Sequence, residues 1–317
     1  MDIELRVALA QIAPVWLDKK KTLAKIEAYI DQAAQEKAEL IVFGESLLPG
    51  YPYWIAYTDG ARFDEKMQKA IHAHYLANSI TIEHNDLETI CTLAREHQIA
   101  IYLGCIERPL DRGGHSAYAS LVFINTKGVI KSVHRKLQPT YEERLSWSPG
   151  DGHGLQVHSH KAFMLGGLNC WENWMPLPRA ALYAQGENVH VAVWPGSDYN
   201  TKDITRFIAR ESRSYAISVS SLMRKSDISM DVPYYDILQE KFPEISGNGG
   251  SCIAQPNGEW LIEPVLHQEG LLYETLAYQM ILEERQNFDP VGHYSRPDVT
   301  KLLLNTERQS TLQVNKG

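Results

Sequence analysis

The sequence predicts an α/β protein built around mixed β-sheet. Three observations carry that prediction: short uninterrupted apolar runs, stretches of helical apolar spacing alternating with them, and two hairpin signals set between. Alternating strands and helices give parallel pairs, and hairpins add antiparallel ones. The 317 residues contain no internal repeat, low-complexity segment or linker, so one domain is expected.

The elements follow in order. Arg6 to Ile12 reads as a strand that Pro14 ends. Lys19 to Ala38 places Leu23, Ile26, Ile30 and Ala33–Ala34 on one side, the spacing of an amphipathic helix. Leu40-Ile41-Val42-Phe43 is a continuous apolar run, as in a strand covered on both faces. Helices are predicted over Asp64–Ala77 and Leu87–His97, then a buried strand over Ile99–Gly104. Ala119–Ile124 and Val129–His134 flank Asn125-Thr126-Lys127-Gly128 and read as a hairpin. Ala162–Leu165 is a strand that leaves through Gly166-Gly167, and a helix over Arg179–Gln185 closes at Gly186. Val189, Val191 and Val193 alternate along a strand that stops at Trp194-Pro195-Gly196. A helix over Asp203–Tyr215 leads into a strand over Ala216–Ser221. Cys252–Gln255 and Glu259–Ile262 pair across Pro256-Asn257-Gly258, since Asn-Gly is a strong hairpin signal. The polar tail from about Thr306 is expected to fray or to pack against a partner.

Composition excludes several classes of function. A formal charge of −8 argues against a general nucleic-acid-binding surface, which needs clustered Lys and Arg. Lys19-Lys20-Lys21 is the single basic cluster and fits a solvated helix face. No apolar run approaches the roughly 20 residues that span a bilayer, so no membrane partner is expected. Cys91, Cys105, Cys170 and Cys252 show no CxxC spacing, which leaves neither a zinc ribbon nor a thioredoxin motif. The N-terminus does not read as a signal peptide, and a cytoplasmic location with reduced thiols is expected. His72-Ala73-His74 and His158-Ser159-His160 are weak metal signals, for neither has a further ligand at the spacing a metal needs.

The candidate chemistry sits at strand exits. Glu45 comes two residues after Phe43, Lys136 two residues after His134, and Cys170 after the Ala162–Leu165 strand and its glycines. Side chains at the carboxyl ends of strands converge on the ligand crevice of α/β sheets. Singly, each has a plain structural reading: Glu45 as a cap, Lys136 as a surface charge, Cys170 as a small core hydrophobe. Together they make a reactive set. A carboxylate can take the thiol proton, and a nearby ammonium favours thiolate and meets negative charge that develops on an attacked atom. The Trp171 backbone N–H is a second candidate donor, and Glu143 could hold the lysine or orient a water. The aromatic run Tyr51, Tyr53, Trp54 and Tyr57 could wall a substrate pocket or pack an interface, and Trp194-Pro195 ends a strand where it would line that pocket. Tryptophans Trp171 and Trp174 could exclude water from the thiol.

Three segments resemble one family. Phe43-Gly44-Glu45-Ser46-Leu47-Leu48-Pro49-Gly50-Tyr51-Pro52 is similar to the catalytic-glutamate segment of the nitrilase superfamily. His134-Arg135-Lys136-Leu137-Gln138-Pro139-Thr140-Tyr141-Glu142-Glu143-Arg144 is similar to its lysine segment, and Gly167-Leu168-Asn169-Cys170-Trp171-Glu172-Asn173 to its nucleophile turn. With the late Gly292-His293-Tyr294-Ser295-Arg296-Pro297-Asp298, the combination resembles the true nitrilase branch over nearly the whole chain. The resemblance implies an α-β-β-α sandwich with mixed sheets, one carbon–nitrogen hydrolase domain over 1–317 with a core of about 6–278, and an extension at 279–317 used in oligomer contacts. It further implies homodimers that complete a four-layer-pair assembly, and larger spiral oligomers.

The implied activity is hydrolysis of a small-molecule nitrile to acid and ammonia, with Cys170 as nucleophile, Glu45 as base, Lys136 and the Trp171 N–H as charge stabilisers, and Glu143 positioning Lys136. No metal or organic cofactor is implied. An amidase-like hydrolase using the same residues, or an idle scaffold of the same fold, are the alternatives. The sequence departs from the family pattern at Gly44, Ala119, Ser148-Pro149 and Asn173, none of them in the Glu45–Lys136–Cys170 set, so substrate range is what they affect.

Overall fold

The computed structural model describes residues 3–312. Its first half runs β1 (Glu4–Gln11), α1 (Lys19–Gln35), β2 (Leu40–Phe43), α2 (Trp54–Tyr57), α3 (Lys66–Asn78), α4 (Glu88–His97), β3 (Ala100–Glu107), β4 (Tyr118–Ile124) and β5 (Ile130–Arg135). The second half runs β6 (His158–His160), β7 (Phe163–Asn169), α5 (Pro176–Tyr183), β8 (Val189–Trp194), α6 (Asp198–Ser212), β9 (Tyr215–Ser220), β10 (Leu222–Arg224), α7 (Tyr235–Lys241), β11 (Ile245–Ala254), β12 (Trp260–Leu266), β13 (Gly270–Ala277) and α8 (Tyr278–Glu284).

These strands form two mixed sheets, as the family resemblance implied. The first has the order β13-β1-β2-β3-β4-β5, the second β10-β11-β9-β8-β7-β6 with β12 beside β11. In the first, β1, β2 and β3 are parallel, and the antiparallel pairs β3–β4 and β4–β5 return β5 to the same direction. In the second, β7, β8 and β9 are parallel. The carboxyl ends of β2, β5, β7 and β8 carry the segments of Glu45, Lys136, Cys170 and Trp194.

The pleat explains the layers. Leu40 and Val42 face the second sheet and pack with Val189, Val191, Val193 and Ile217. Ile41 and Phe43 face the other way, against Ile26, Ile30 and Ala33 of α1 and Ile90 and Ala94 of α4. On the far side, Ala192, Trp194 and Ala216 pack under Ile204, Ile208 and Ala209 of α6. The result is an α-β-β-α sandwich whose central strands are apolar on both faces.

Several bounds differ from the sequence reading. Helix α6 begins at Asp198, not Asp203, because Ser197 Oγ accepts the Tyr199 N–H and caps the extra turn. Helix α5 begins at Pro176, which sits in its first turn, where a missing N–H costs nothing. Strand β11 starts at Ile245, well before Cys252; its glycine-rich front half bulges between β10 and β12. Strand β13, unassigned from sequence, pairs with β1 along all eight residues, Glu4↔Ala277 to Gln11↔Gly270. In the tail, Arg308 pairs with Asp151 at 3.0 Å and Gln309 Nε2 donates to the Gly150 carbonyl, so this part folds back on its own chain. Residues 313–317 of the expected extension lie outside those described. No helix among the described residues is long and apolar enough to cross a membrane.

Candidate active site

Glu45 stands at the turn after β2, where its N–H donates to the Trp194 carbonyl at 3.2 Å. That turn lies flat on β3: a Cβ at Gly104 would come within 2.0 Å of the Gly44 carbonyl oxygen. Gly44 in turn leaves room for Ser221, whose Oγ would lie 2.3 Å from a Cβ there. The departure at Gly44 therefore has a local cause. Lys136 leaves β5 with its N–H on the Ala119 carbonyl at 2.7 Å, so residue 119 acts here through its backbone.

Cys170 leaves β7 with φ of 48°, a left-handed conformation uncommon for a side-chain-bearing residue. A non-glycine residue is held there only where its surroundings over-determine it. They do. Glu172, two residues on, accepts the N–H of Asn169 at 2.9 Å and, across the sandwich, the N–H of Leu137 at 2.5 Å. His134 Nε2 adds a third contact at 3.1 Å. Despite full burial, His134 and these two amides hold the Glu172 carboxyl below its ordinary value. One carboxylate thus ties the lysine's strand exit to the cysteine's.

The three exits converge. Lys136 Nζ lies 2.7 Å from Glu143 Oε2 and 3.0 Å from Glu45 Oε1, and all these side chains are buried. The Glu45 contact is an ion pair without hydrogen-bond alignment, and both Glu45 oxygens lack a hydrogen-bond partner. Donor atoms of Glu45, Glu143 and Cys170 fall within 4.8 Å of one another, the one such set of metal-ligating type among the described residues. The Lys136 ammonium already supplies the positive charge between the carboxylates.

Burial and neighbours set the charges. Burial pushes the Glu45 carboxyl up to about 8; Lys136 opposes the shift and Glu143 adds to it. Burial also disfavours charge on Lys136, yet Cys170, Glu45 and Glu143 around it outweigh burial and raise its value well above the usual. Burial, with Glu45 and Glu143, raises the Cys170 thiol well above its usual range, while Lys136 and the Trp171 amide pull the other way. Burial thus opposes ionisation of the thiol, while the neighbours favour the charged ammonium. It can move a proton from sulfur to carboxylate and meet new negative charge with the ammonium.

The expected pocket residues separate. Tyr51 enters the site, with its hydroxyl donating to Glu143 Oε1 at 3.0 Å and its ring edge-on to Trp147 at 5.5 Å. Pro195 accepts the Tyr53 hydroxyl at 3.2 Å and, with Glu45, Tyr51, Tyr53 and Ser221, lines a cavity of about 10 Å³, room for one water. Trp194 contributes its carbonyl, since its indole is buried and donates to Ser218 Oγ. Tyr57 lies one layer back, stacked on Tyr53 and edge-on to Phe242. The indoles of Trp171 and Trp174 stack on each other and are 42% and 44% exposed, so within one chain they do not close over the thiol. His158 stacks on Phe123 and contacts Ser132, a core histidine. A much larger groove, about 880 Å³ between α6, Trp260 and Phe288, contains none of the site residues.

Sequence reading missed Glu172 and a second set behind the cysteine. Asn173 Nδ2 donates to the Cys170 carbonyl at 2.8 Å, and Asn173 Oδ1 lies 2.8 Å from His190 Nε2. Their buried polar character was the available signal, since His190 interrupts an otherwise apolar strand.

A two-sheet sandwich thus brings a buried thiol, an ammonium and paired carboxylates together at its strand ends, groups of the kind that nucleophilic catalysis uses. The chain belongs to the carbon–nitrogen hydrolase family, whose model, described as "Carbon-nitrogen hydrolase", matches residues 6–286. It is 34% identical over 316 residues to "Nitrilase 2" of an unknown prokaryotic organism, covering 99% of this chain and 96% of that one. It is 33% identical to an "Aliphatic nitrilase" of Rhodococcus rhodochrous, covering 98% of this chain and 82% of that one. The fold matches a carbon–nitrogen hydrolase from Helicobacter pylori G27 with a TM-score of 0.70 at 20% identity, covering 93% of this chain and 97% of that one.

Proposed function

We propose that this protein is a nitrilase, converting an organic nitrile and two waters into a carboxylic acid and ammonia. Glu45 takes the proton from Cys170 Sγ, and the thiolate adds to the nitrile carbon. Lys136 and the Trp171 N–H stabilise the charge that builds on nitrogen, which takes the proton back from Glu45 to give a thioimidate and leave Glu45 ionised. Water adds with Glu45 as base, Glu45 passes that proton to nitrogen, and it then carries the proton of the new hydroxyl to the same nitrogen as the carbonyl forms, so that ammonia leaves and a thioester remains. A second water, activated in the same way, releases the acid and restores the thiol. Glu143 and Tyr51 hold Lys136 in place.

The observation that carries this reading is the Lys136 ammonium set between Glu45 and Glu143 at 3.0 and 2.7 Å beside a buried thiol. Relatives named nitrilases, matched along nearly the full chain, support nitriles as the substrate class. We further read residues 1–317 as one domain, in which the stacked Trp171 and Trp174 with Met175 and Leu177, all exposed, form a face for self-association into a dimer.

The test is a parallel panel of nitriles and amides with ammonia detection and intact-mass analysis of wild type and Cys170→Ala. Nitrile turnover with an adduct confined to wild type is expected. Turnover of amides alone would leave an amidase, and activity retained in Cys170→Ala would remove the cysteine from the mechanism.

A further inference from the structure

Behind the nucleophile lies a chain of buried polar side chains that the reaction as written does not use. Asn173, His190 and Glu187 are all fully buried. The orientation of the Asn173 amide is fixed by its partners. Its nitrogen donates to the carbonyl oxygens of Cys170 at 2.8 Å and Leu168 at 3.3 Å, which can only accept. Its oxygen therefore faces His190, and His190 Nε2, 2.8 Å away, carries a hydrogen. The other ring nitrogen, Nδ1, sits 3.0 Å from both oxygens of Glu187, a contact that also requires a hydrogen, on one partner or the other. Space for this carboxylate exists because residue 166 is glycine: a Cβ there would fall 2.0 Å from Glu187 Oε1. Arg179 Nη1 holds the Asn173 carbonyl at 2.7 Å from the opposite side.

The chain ends on the peptide group that joins Cys170 to Trp171. In a trans peptide the C=O and N–H point in opposite directions. A donor that fixes the Cys170 oxygen therefore fixes the direction of the Trp171 N–H, which points to the sulfur side. Hydrogen bonds in series also polarise one another, so a strong donor on the oxygen makes the N–H a better donor. Because the Trp171 indole faces solvent, this N–H is what the residue brings to the site.

We propose that Glu187, His190 and Asn173 form a positioning relay that sets and polarises the Cys170–Trp171 peptide, and so the N–H that meets the anion formed on the substrate nitrogen. The proposal rests on Cys170 being the nucleophile. The relay touches neither substrate nor reacting atoms; it acts through the backbone. It also gives Asn173, a departure from the family pattern, a function of its own in this chain.

The experiment compares Asn173→Ala, Glu187→Gln and the double variant, each checked for native circular dichroism. Asn173→Ala is expected to lower kcat on the order of 10- to 100-fold, below the 10²–10³ that loss of a whole donor costs. KM should stay within about twofold, because the N–H meets charge formed only after binding. Glu187→Gln, isosteric and remote from substrate, should cost a few-fold, and nothing further in the Asn173→Ala background. Independently of any nitrile, the pH midpoint for Cys170 alkylation by iodoacetamide should rise in both single variants. The other groups facing that sulfur (Glu45, Lys136, Glu143 and Tyr51) are unchanged in them.

Wild-type kcat and an unmoved alkylation midpoint in folded Glu187→Gln would overturn the relay, and that variant decides alone if Asn173→Ala does not fold. An equal Glu187→Gln effect with and without Asn173 would also overturn it. Absence of any nitrile adduct on wild-type Cys170 would instead strike the proposed function, and the alkylation midpoints would still decide whether the relay acts on the N–H.

Discussion

At Glu45 the surroundings act against the charge that a general base must carry. Burial pushes its carboxyl up to about 8, an effect that Glu143 adds to and that the Lys136 ammonium 3.0 Å away only partly offsets. In the proposed reaction the ionised form is the one that accepts the thiol proton. As pH falls through that value the base becomes protonated, so kcat/KM should fall, approaching tenfold per unit on the acid side. A profile of kcat/KM against pH from about 6 to 9 checks this, and a flat acid side would show that the base is not raised. Glu45→Gln, which keeps the shape and removes the base, should cost 10²–10⁴ in rate. That Glu45, Lys136 and Cys170 stand at strand exits was legible, for Glu45 and Cys170 from the apolar runs before them and for Lys136 from the hairpin strand expected over Val129–His134. That Tyr51 donates to Glu143 was not, since hydrophobic spacing says nothing about where a phenol points.

At the scale of elements, the site depends on two strand exits from different sheets, β5 and β7, held at one separation. Glu172 does this through both carboxylate oxygens: Oε1 accepts the Leu137 N–H and Oε2 the Asn169 N–H. Glutamine is therefore no neutral replacement, for its NH₂ must face one of two N–H donors. Glu172→Gln is expected to lose roughly 2–4 kcal/mol of stability, the cost of leaving buried amides unmatched around a lost charge. It should also slow Cys170 alkylation. Urea unfolding provides the measurement, and a change within about 0.5 kcal/mol would contradict the bridging role. The element bounds themselves were legible where periodicity was strong, as in α1, whose length was overrun by only three residues. They were lost where caps or bulges decide: at Ser197 before α6, at Pro176 in α5, and in the glycines of β11.

For the whole molecule, one apolar surface that a single chain leaves open lies next to the Cys170 turn. Leu177 is 66% exposed, and it follows the exposed Trp171, Trp174 and Met175 closely along the chain. A patch of this kind on a folded chain marks an interaction surface. Leu177→Glu places a charge in the centre of the proposed self-association face, and sedimentation velocity at micromolar concentration should show a smaller species than wild type. Equal sedimentation coefficients would place the contact elsewhere. In the tail, Arg308 and Gln309 bind Asp151 and Gly150 of the same chain, and Gly150 donates to the Lys136 carbonyl.

By itself the sequence determined the α/β class, the apolar strands at the centre, and the residues at their exits that can do chemistry. Those are local properties, written in spacing over a few residues and in residue type. Only the tertiary structure decided which strands fall in which sheet and in what order, that Tyr51 donates to Glu143 beside Lys136, and that the cysteine is braced from behind. The bracing contacts join residues 35 apart at Glu172–Leu137 and 17 apart at His190–Asn173. Such contacts depend on how sheets stack and loops return, which no short window of sequence encodes.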